Sequence, residues 1–344
     1  MIKKFLIALS FNNHLRKKIW KRIATQLKYN VPLILIFENL REQYKRNTIL
    51  YSIFSDICNE YSKAEKLSKS LGKYIPYDEM LLIESCESNG KLDEGFLLAE
   101  RIIEAKDNIK NSLKSALTYP IFLFFLLIIM LLVVAFMLIP AFTEVIDPNK
   151  WQGFAKILYY VSLFISSIYG VFFCIFFVFA ISIMFFSFPN YTGKYRTFLD
   201  KIPPYSIYRM LVGATWLFTF SSLMKAGKQQ NNILKDMTES EINTPYLRNR
   251  VQIILDNFIG NSLGEALILS ETGFPDEELI RDLNTYSNLP EFEQKLYEIS
   301  EDWIKYGEQK LNENAKVFQN ICLMFIALIL ISIGLAYTQI MQTF

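Results

Sequence analysis

Charge disappears from this chain in three long stretches. Between Lys114 and Glu144 lie 29 uncharged residues, between Lys156 and Lys194 lie 37, and all 28 residues after Lys316 are uncharged. A helix needs about 20 apolar residues to cross a hydrocarbon core of about 30 Å. Residues 121–139 read IFLFFLLIIMLLVVAFMLI and give the first span. Pro120 is expected to open it and Pro140 to close it, where a missing N–H costs little. The second span lies within 158–188 and ends near Pro189. It is too long for a perpendicular crossing and too short for a hairpin, so one tilted helix is expected. The third span covers roughly 318–340.

Lys and Arg near the span ends set the orientation. Residues 1–118 hold 20 basic groups, with Lys106, Lys110 and Lys114 just before the first span. The loop 141–157 has only Lys150 and Lys156, balanced by Glu144 and Asp147. Lys194, Arg196 and Lys201 follow the second span, and Lys305, Lys310 and Lys316 precede the third. The N-terminus and segment 190–316 are therefore expected in the cytoplasm, and the short loop and C-terminus on the other face. The apolar stretch Phe5–Leu9 is too short for a secretory signal and reads as a retained segment. No span holds an Asp, Glu, Lys, Arg or His, which is poor equipment for a proton relay or an ion-coupled transporter. Ser162, Ser166, Gly170 and Cys174 recur every four residues, a stripe that lets membrane helices approach closely.

Composition narrows the chemistry. Net charge is +2, so no global basic field points to nucleic acid. His14 is the single histidine, which excludes chemistry that needs two or three imidazoles. Cys58, Cys86, Cys174 and Cys322 share no metal-type spacing and read as four buried free thiols. The 13 glycines form no phosphate loop and no G-x-G-x-x-G. No catalytic, cofactor-binding or metal-ligating set stands out. Glu84, Glu87, Asp93 and Glu94 cluster around a turn, where helix-end structure is favoured over partner contact or a cation. Arg16, Lys17, Lys18, Lys21 and Arg22 flank Ile19 and Trp20, a basic amphipathic pattern suited to a membrane surface, a partner or plain solvent.

Segments 1–118 and 190–316 are alike in size and both read as helical. Ile49, Leu50, Ile53, Phe54, Ile57, Cys58 and Tyr61 share one helical face, and Leu92, Phe96, Ala99, Ile103, Ile109 and Leu113 share another. The second of these helices is expected to run on towards the first span. The segments also match weakly at a near-constant offset. Residues 64–71 resemble 260–267, Pro76-Tyr77-Asp78-Glu79 resembles Pro275-Asp276-Glu277-Glu278, and Asn30 falls opposite Gly227. Asn and Gly best tolerate the left-handed turn that closes a helix. The pattern points to duplication, with a span after each copy. The first copy has 20 basic and 14 acidic groups and the second 14 and 18, so opposite charge would favour docking within or between chains.

These residues resemble a family: the polytopic inner-membrane platform proteins of type IV pilus and type II secretion machines. The family's Gly-x-Pro-Leu turn is matched by Asn30-Val31-Pro32-Leu33, with Asn in place of Gly. Its Gly-Glu-x-Ser/Thr-Gly-x-Leu signature is matched by residues 86–92, with Glu87, Gly90 and Leu92 kept and Cys86 in the first position. Its Ala-Leu-x-Tyr-Pro lead into the first span is intact as Ala116-Leu117-Thr118-Tyr119-Pro120. In the second copy residues 260–267 match Gly-x-Ser-Leu-x-x-Ala-Leu, while the Glu signature has decayed to residues 283–289 without a Glu. The degenerate second copy and the short loop Pro148–Trp151 resemble the type IVb pilus subgroup.

The resemblance implies an all-α polytopic membrane protein with three transmembrane helices and two homologous cytoplasmic helical-bundle domains. The expected divisions are 1–118 and 190–316 for the domains, 119–140, 158–189 and 317–344 for the spans, and 141–157 for a periplasmic loop. It implies a non-enzymatic bacterial inner-membrane scaffold without cofactors. The partners implied are a cytoplasmic assembly ATPase, pilin or pseudopilin subunits, other inner-membrane assembly proteins and further copies of itself. Asn30, Pro32, Leu33, Glu87, Gly90, Leu92, Tyr119 and Pro120 are the candidates for domain integrity or partner contact. A type II secretion platform is the nearest alternative, and a transporter or channel subunit the alternative of a different class.

Overall fold

The computed structural model describes residues 6–342 except 8, 62, 64, 65, 241, 242 and 288. Phe5 and Ala8 of the N-terminal stretch, Ala64 and Glu65 of the repeated motif, and Asn288 of the decayed signature lie outside the described residues. Every regular element among the described residues is helical. The chain divides into two compact units, one of residues 1–110 and 189–307 and one of residues 111–188 and 308–344.

The first unit contains two sets of helices in the same order. The first set is α1 (Asn13–Lys28), α2 (Leu33–Gln43), α3 (Thr48–Tyr61), α4 (Leu67–Leu71), α5 (Tyr77–Ser88) and the start of α6 (Leu92–Val133). After α7 (Ile139–Val145), α8 (Gly153–Ser166), α9 (Ile168–Asn190) and the single turn α10 (Arg196–Leu199), the order repeats. The second set is α11 (Tyr205–Lys225), α12 (Gln230–Glu239), α13 (Pro245–Phe258), α14 (Leu263–Leu269), α15 (Glu277–Tyr286) and the start of α16 (Phe292–Gln342).

Two apolar cores hold this unit together. One is built from the first set alone and buries Trp20, Phe37, Phe54, Ile57 and Phe96. The face read on α3 is the one that packs there, with Leu50, Ile53, Phe54, Ile57 and Cys58 buried. The other core joins the sets. Leu81, Leu82 and Cys86 of α5 and Leu98, Ile102 and Ala105 of α6 pack with Trp216, Phe220, Leu234, Leu267 and Leu296 of the second set. Helices α5 and α6 thus have two apolar faces, one for each core. Apolar burial, worth about 25 cal/mol per Å², dominates this junction. Charge adds little: Arg101, exposed, and Glu301, half-buried, lie 2.8 Å apart, and such surface pairs are worth about 0–1 kcal/mol.

The second unit carries the apolar spans. Three helices are long and apolar enough to cross a membrane: residues 92–145, 168–190 and 292–338. Pro120 does not open a helix; it sits inside α6, which runs from Leu92 to Val133 without a break. Pro140 does not close one either. A π turn at Val134–Leu138 precedes it, and α7 continues to Val145. The second window is also not one helix. Ser167 turns extended (ψ 163°) and separates α8 from α9. Its Oγ donates to the Phe164 carbonyl at 2.7 Å and accepts from the Gly170 N–H at 3.4 Å, so a local cap competes with helix continuation. Gly170 is required at this bend, because a Cβ there would run into the Phe164 and Ile165 carbonyl oxygens.

Candidate functional site

The residues that carry chemistry in this chain shape helix ends and buried polar networks. Three helices close with the same turn. At Asn30 (φ 58°) the amide bonds to the Leu27 carbonyl at 2.8 Å and the Val31 amide to Gln26 at 3.1 Å. At Gly90 (φ 70°) the same two bonds run to Glu87 at 3.2 Å and, from Lys91, to Cys86 at 2.9 Å. At Gly227 (φ 85°) they run to Met224 and, from Lys228, to Leu223. A left-handed residue with this bond pair satisfies carbonyls that a helix end leaves open. Pro32 then precedes α2, and Leu33 is buried in the first core. Leu92, half-buried against that core, starts α6.

Glu87 has a defined structural task. Its Oε1 accepts from the Leu67 amide at 2.7 Å and its Oε2 from the Ser68 amide at 3.1 Å. The carboxylate therefore caps α4 from the far end of α5. Lys66, at the cap position itself, offers no side-chain bond. The second set caps α14 differently. Ser262 Oγ accepts from the Glu265 amide at 3.3 Å, and Glu265 Oε2 accepts from the Ser262 amide at 2.8 Å, a local capping box. Matching the starts of α5 and α15, Tyr77 and Glu277, puts Ser287 rather than Asn284 level with Glu87, three residues on from the sequence pairing of 86–92 with 283–289, and Ser287 donates to Ser262 Oγ at 3.1 Å. The second signature could lose its Glu because its short helix caps itself.

Two buried ionic networks lay hidden in the sequence. Arg16 belonged to a basic surface run, yet it is buried and paired. Its Nη2 donates to Glu79 Oε1 at 3.0 Å, its Nε to Oε2 at 3.1 Å and its Nη1 to the Phe11 carbonyl at 2.6 Å. Trp20 Nε1 donates to Glu79 Oε2 at 2.8 Å. Burial pushes the Glu79 carboxyl up, and Arg16 and Trp20 pull against it. Ile19 and Trp20 pack in the first core, so the apolar face of α1 is not open to a bilayer. In the second set Asp200 Oδ1 accepts from Arg196 Nε, and Oδ2 accepts from Arg250 Nη2 and Tyr246 Oη, each at 2.9 Å. The Arg196 guanidinium lies 4.1 Å from the Tyr246 ring centre. Glu79, just before the apolar run Met80–Ile83, and the Arg196/Asp200 spacing of four were the available signals.

In the membrane unit one polar contact stands out. The Ile139 amide reaches back five residues to Val134, and Pro140 has no N–H to offer Ala135. Ser162 Oγ fills that gap, donating to the Ala135 carbonyl at 3.0 Å. A bilayer core supplies no water for such a carbonyl. Trp151, Ala155 and Leu158 pack here with Val134, Ile139 and Ala336. Of the small-residue stripe, Ser162 and Gly170 are buried while Ser166 and Cys174 are exposed. The bend at Ser167 divides the stripe, and Cys174 is the one described cysteine that is not buried. Tyr119 is exposed and Pro120 is buried within α6. Among the described residues no group of three His, Cys, Asp or Glu is placed to hold a metal.

Comparison with known proteins agrees with this architecture. Residues 21–140 match the family described as type II secretion system (T2SS), protein F. Across 322 residues the chain is 24% identical to toxin coregulated pilus biosynthesis protein E of Vibrio cholerae serotype O1, covering 91% of this chain and 92% of the relative. The chain is thus similar over part of its length to the secretion protein F family and over most of its length to a pilus biosynthesis protein. Three of its helices are long and apolar enough to cross a membrane.

Proposed function

We propose that this chain is the inner-membrane platform for assembly of a type IV pilus. The observation that supports it best is continuity: α6 and α16 each begin in the helical unit outside the spans and run as single helices into apolar segments. A cytoplasmic assembly ATPase bound to the unit of residues 1–110 and 189–307 would bias its position. Helices α6 and α16 would carry that bias to the spans, which help lift pilin subunits out of the bilayer into the filament. The protein is a scaffold with no chemistry of its own. It places its N-terminus in the cytoplasm and its C-terminus in the periplasm, in line with the Lys and Arg distribution. Asn30, Gly90 and Glu87 hold the helix ends of the unit that meets the motor. The division into 1–118 and 190–316 as cytoplasmic domains follows the same reading.

Deleting the gene tests this. Surface pili should vanish while pilin accumulates in the inner membrane, and the full-length chain should restore them. Persistence of pili with loss of protein secretion would favour the type II secretion reading. Unchanged pili and unchanged secretion would contradict both.

A further inference from the structure

The single turn α10 has its polarity reversed. Its ionic side faces in: Arg196 and Asp200 are buried and paired at 2.9 Å, and Asp200 also accepts from Arg250 and Tyr246 of α13. Its apolar side faces out: Tyr195 is 72% exposed, Phe198 64% and Ile202 44%. Steps of three and four residues put these side chains on one side of a helical turn, which bonds from Lys201 to Phe198 and from Ile202 to Leu199 carry on past α10. Lys194 and Lys201 flank them and are exposed as well. A short helix on a water-facing surface turns its apolar side to the core. Here a charge network takes the core side, and three large apolar groups are left outside.

The place of this turn in the chain says what covers it. Asn190 is the last residue of α9, whose residues 168–190 are long and apolar enough to cross a membrane. Tyr195 comes five residues later, at most about 18 Å of chain. The loop is folded well short of that reach. Arg196 Nη1 donates to the Tyr191 carbonyl at 3.2 Å, and the Arg196 amide to the Gly193 carbonyl at 2.9 Å. Gly193 is closed on the Tyr191 ring, where a Cβ would come within 2.7 Å. Turn α10 is thus bonded to the residue that follows α9. Headgroups meet acyl chains where a span ends, and aromatic and basic side chains gather at that level. Tyr195 and Phe198 supply the aromatic rings. Lys194 and Lys201 supply ammonium groups that reach anionic headgroups from a partly buried stem.

We infer that Tyr195, Phe198 and Ile202 insert into the headgroup boundary of an anionic phospholipid bilayer, making α10 a membrane-surface anchor for the second helix set. Interfacial helices bury their apolar side about 5–10 Å into that boundary. Asp200 bridges Arg196 of the anchor to Arg250 and Tyr246, so α13 is tied to the same surface. The inference needs α9 to cross a membrane and is independent of which filament the chain serves.

Quenching by lipid tests it, with the full-length chain in vesicles of phosphatidylethanolamine and phosphatidylglycerol. Added phosphatidylcholine carries a doxyl quencher on its acyl chain. The native Cys174, exposed on α9, takes a nitrobenzoxadiazole label and reports the span. In a Cys174→Ser background the same label is placed at Phe198→Cys, and at Asn232→Cys on exposed polar surface of α12. The label at Phe198→Cys should shift to the blue and lose intensity with doxyl lipid, as at Cys174, while the label at Asn232→Cys does neither. Tyr195→Cys should behave as Phe198→Cys, and circular dichroism matching the parent shows that both fold. Replacing phosphatidylglycerol by phosphatidylcholine should lessen the quenching at Phe198→Cys and leave that at Cys174 unchanged. A label at Phe198→Cys and Tyr195→Cys that stays in water would overturn the inference. So would a blue-shifted label that doxyl lipid leaves unquenched, which would assign this side to a protein partner, or equal quenching at Asn232→Cys. Failure at Phe198→Cys with quenching at Cys174 overturns the anchor alone, whereas failure at both overturns the α9 span with it.

Discussion

The two helix sets follow one plan and reach it by different chemistry. In the first, α4 is capped at long range by Glu87, twenty residues on from Leu67. In the second, α14 is capped by its own Ser262 and Glu265. The first buries one carboxylate with one guanidinium, Glu79 with Arg16. The second buries one carboxylate between two, Asp200 with Arg196 and Arg250. The requirement is shared: every helix end and buried charge needs a partner. Which residue supplies that partner is free to drift, and a signature can decay while its task survives.

The buried anions separate the sets most sharply. Asp200→Ala leaves two guanidiniums buried around an empty place, whereas Glu79→Ala leaves one. Removing one partner of a buried pair costs about 3–5 kcal/mol, so both should lower the melting temperature steeply, Asp200→Ala by more. Thermal unfolding followed by circular dichroism decides the order, and equal losses would break this distinction.

The caps come next. Glu87→Ala removes two charge-assisted bonds to amides and should cost about 2 kcal/mol. Ser287→Ala removes only a bond to an already satisfied cap and should cost under about 0.5 kcal/mol. Giving α4 a local box with Lys66→Ser and Lys69→Glu should recover about 1 kcal/mol of the Glu87→Ala loss. No recovery would mean that Glu87 does more than cap.

The junction between the sets can be read through Cys86. Burial pushes its thiol up to about 12. Because that lies above the value in an unfolded chain, the folded state loses stability as pH climbs from about 8.5 towards 12. At pH 8 a maleimide should label Cys86 slowly, at a rate set by separation of the two sets, while a lipid-permeable reagent labels Cys174 fast. Fast labelling of Cys86 in the folded chain would contradict a closed junction.

The smallest effect belongs to the spans. Ser162→Ala strands the Ala135 carbonyl and should cost about 0.6–1 kcal/mol, read as a lower unfolding midpoint in mixed micelles. Helix α16, which follows the second set, has no Pro and needs no such contact.

Much of this was legible in sequence and some was not. The spans, the α3 face and the left-handed turn at Asn30 follow from charge gaps, periodicity and turn chemistry, all local signals. Arg16 was misplaced because a basic run reads as surface, and only the distant Glu79 buries it. The single tilted helix failed at Ser167, since an apolar window does not show where a hydroxyl caps. The apolar second face of α5 and α6 was hidden because it serves a partner more than a hundred residues away.

The central claim is that this chain is a platform between a motor and a filament. Cross-linking the full-length chain in cells at native expression, then identifying what purifies with it by mass spectrometry, tests that most directly. The account predicts an assembly ATPase linked to residues 1–110 or 189–307, together with pilin. Recovery of the chain with neither, after efficient cross-linking, would contradict it.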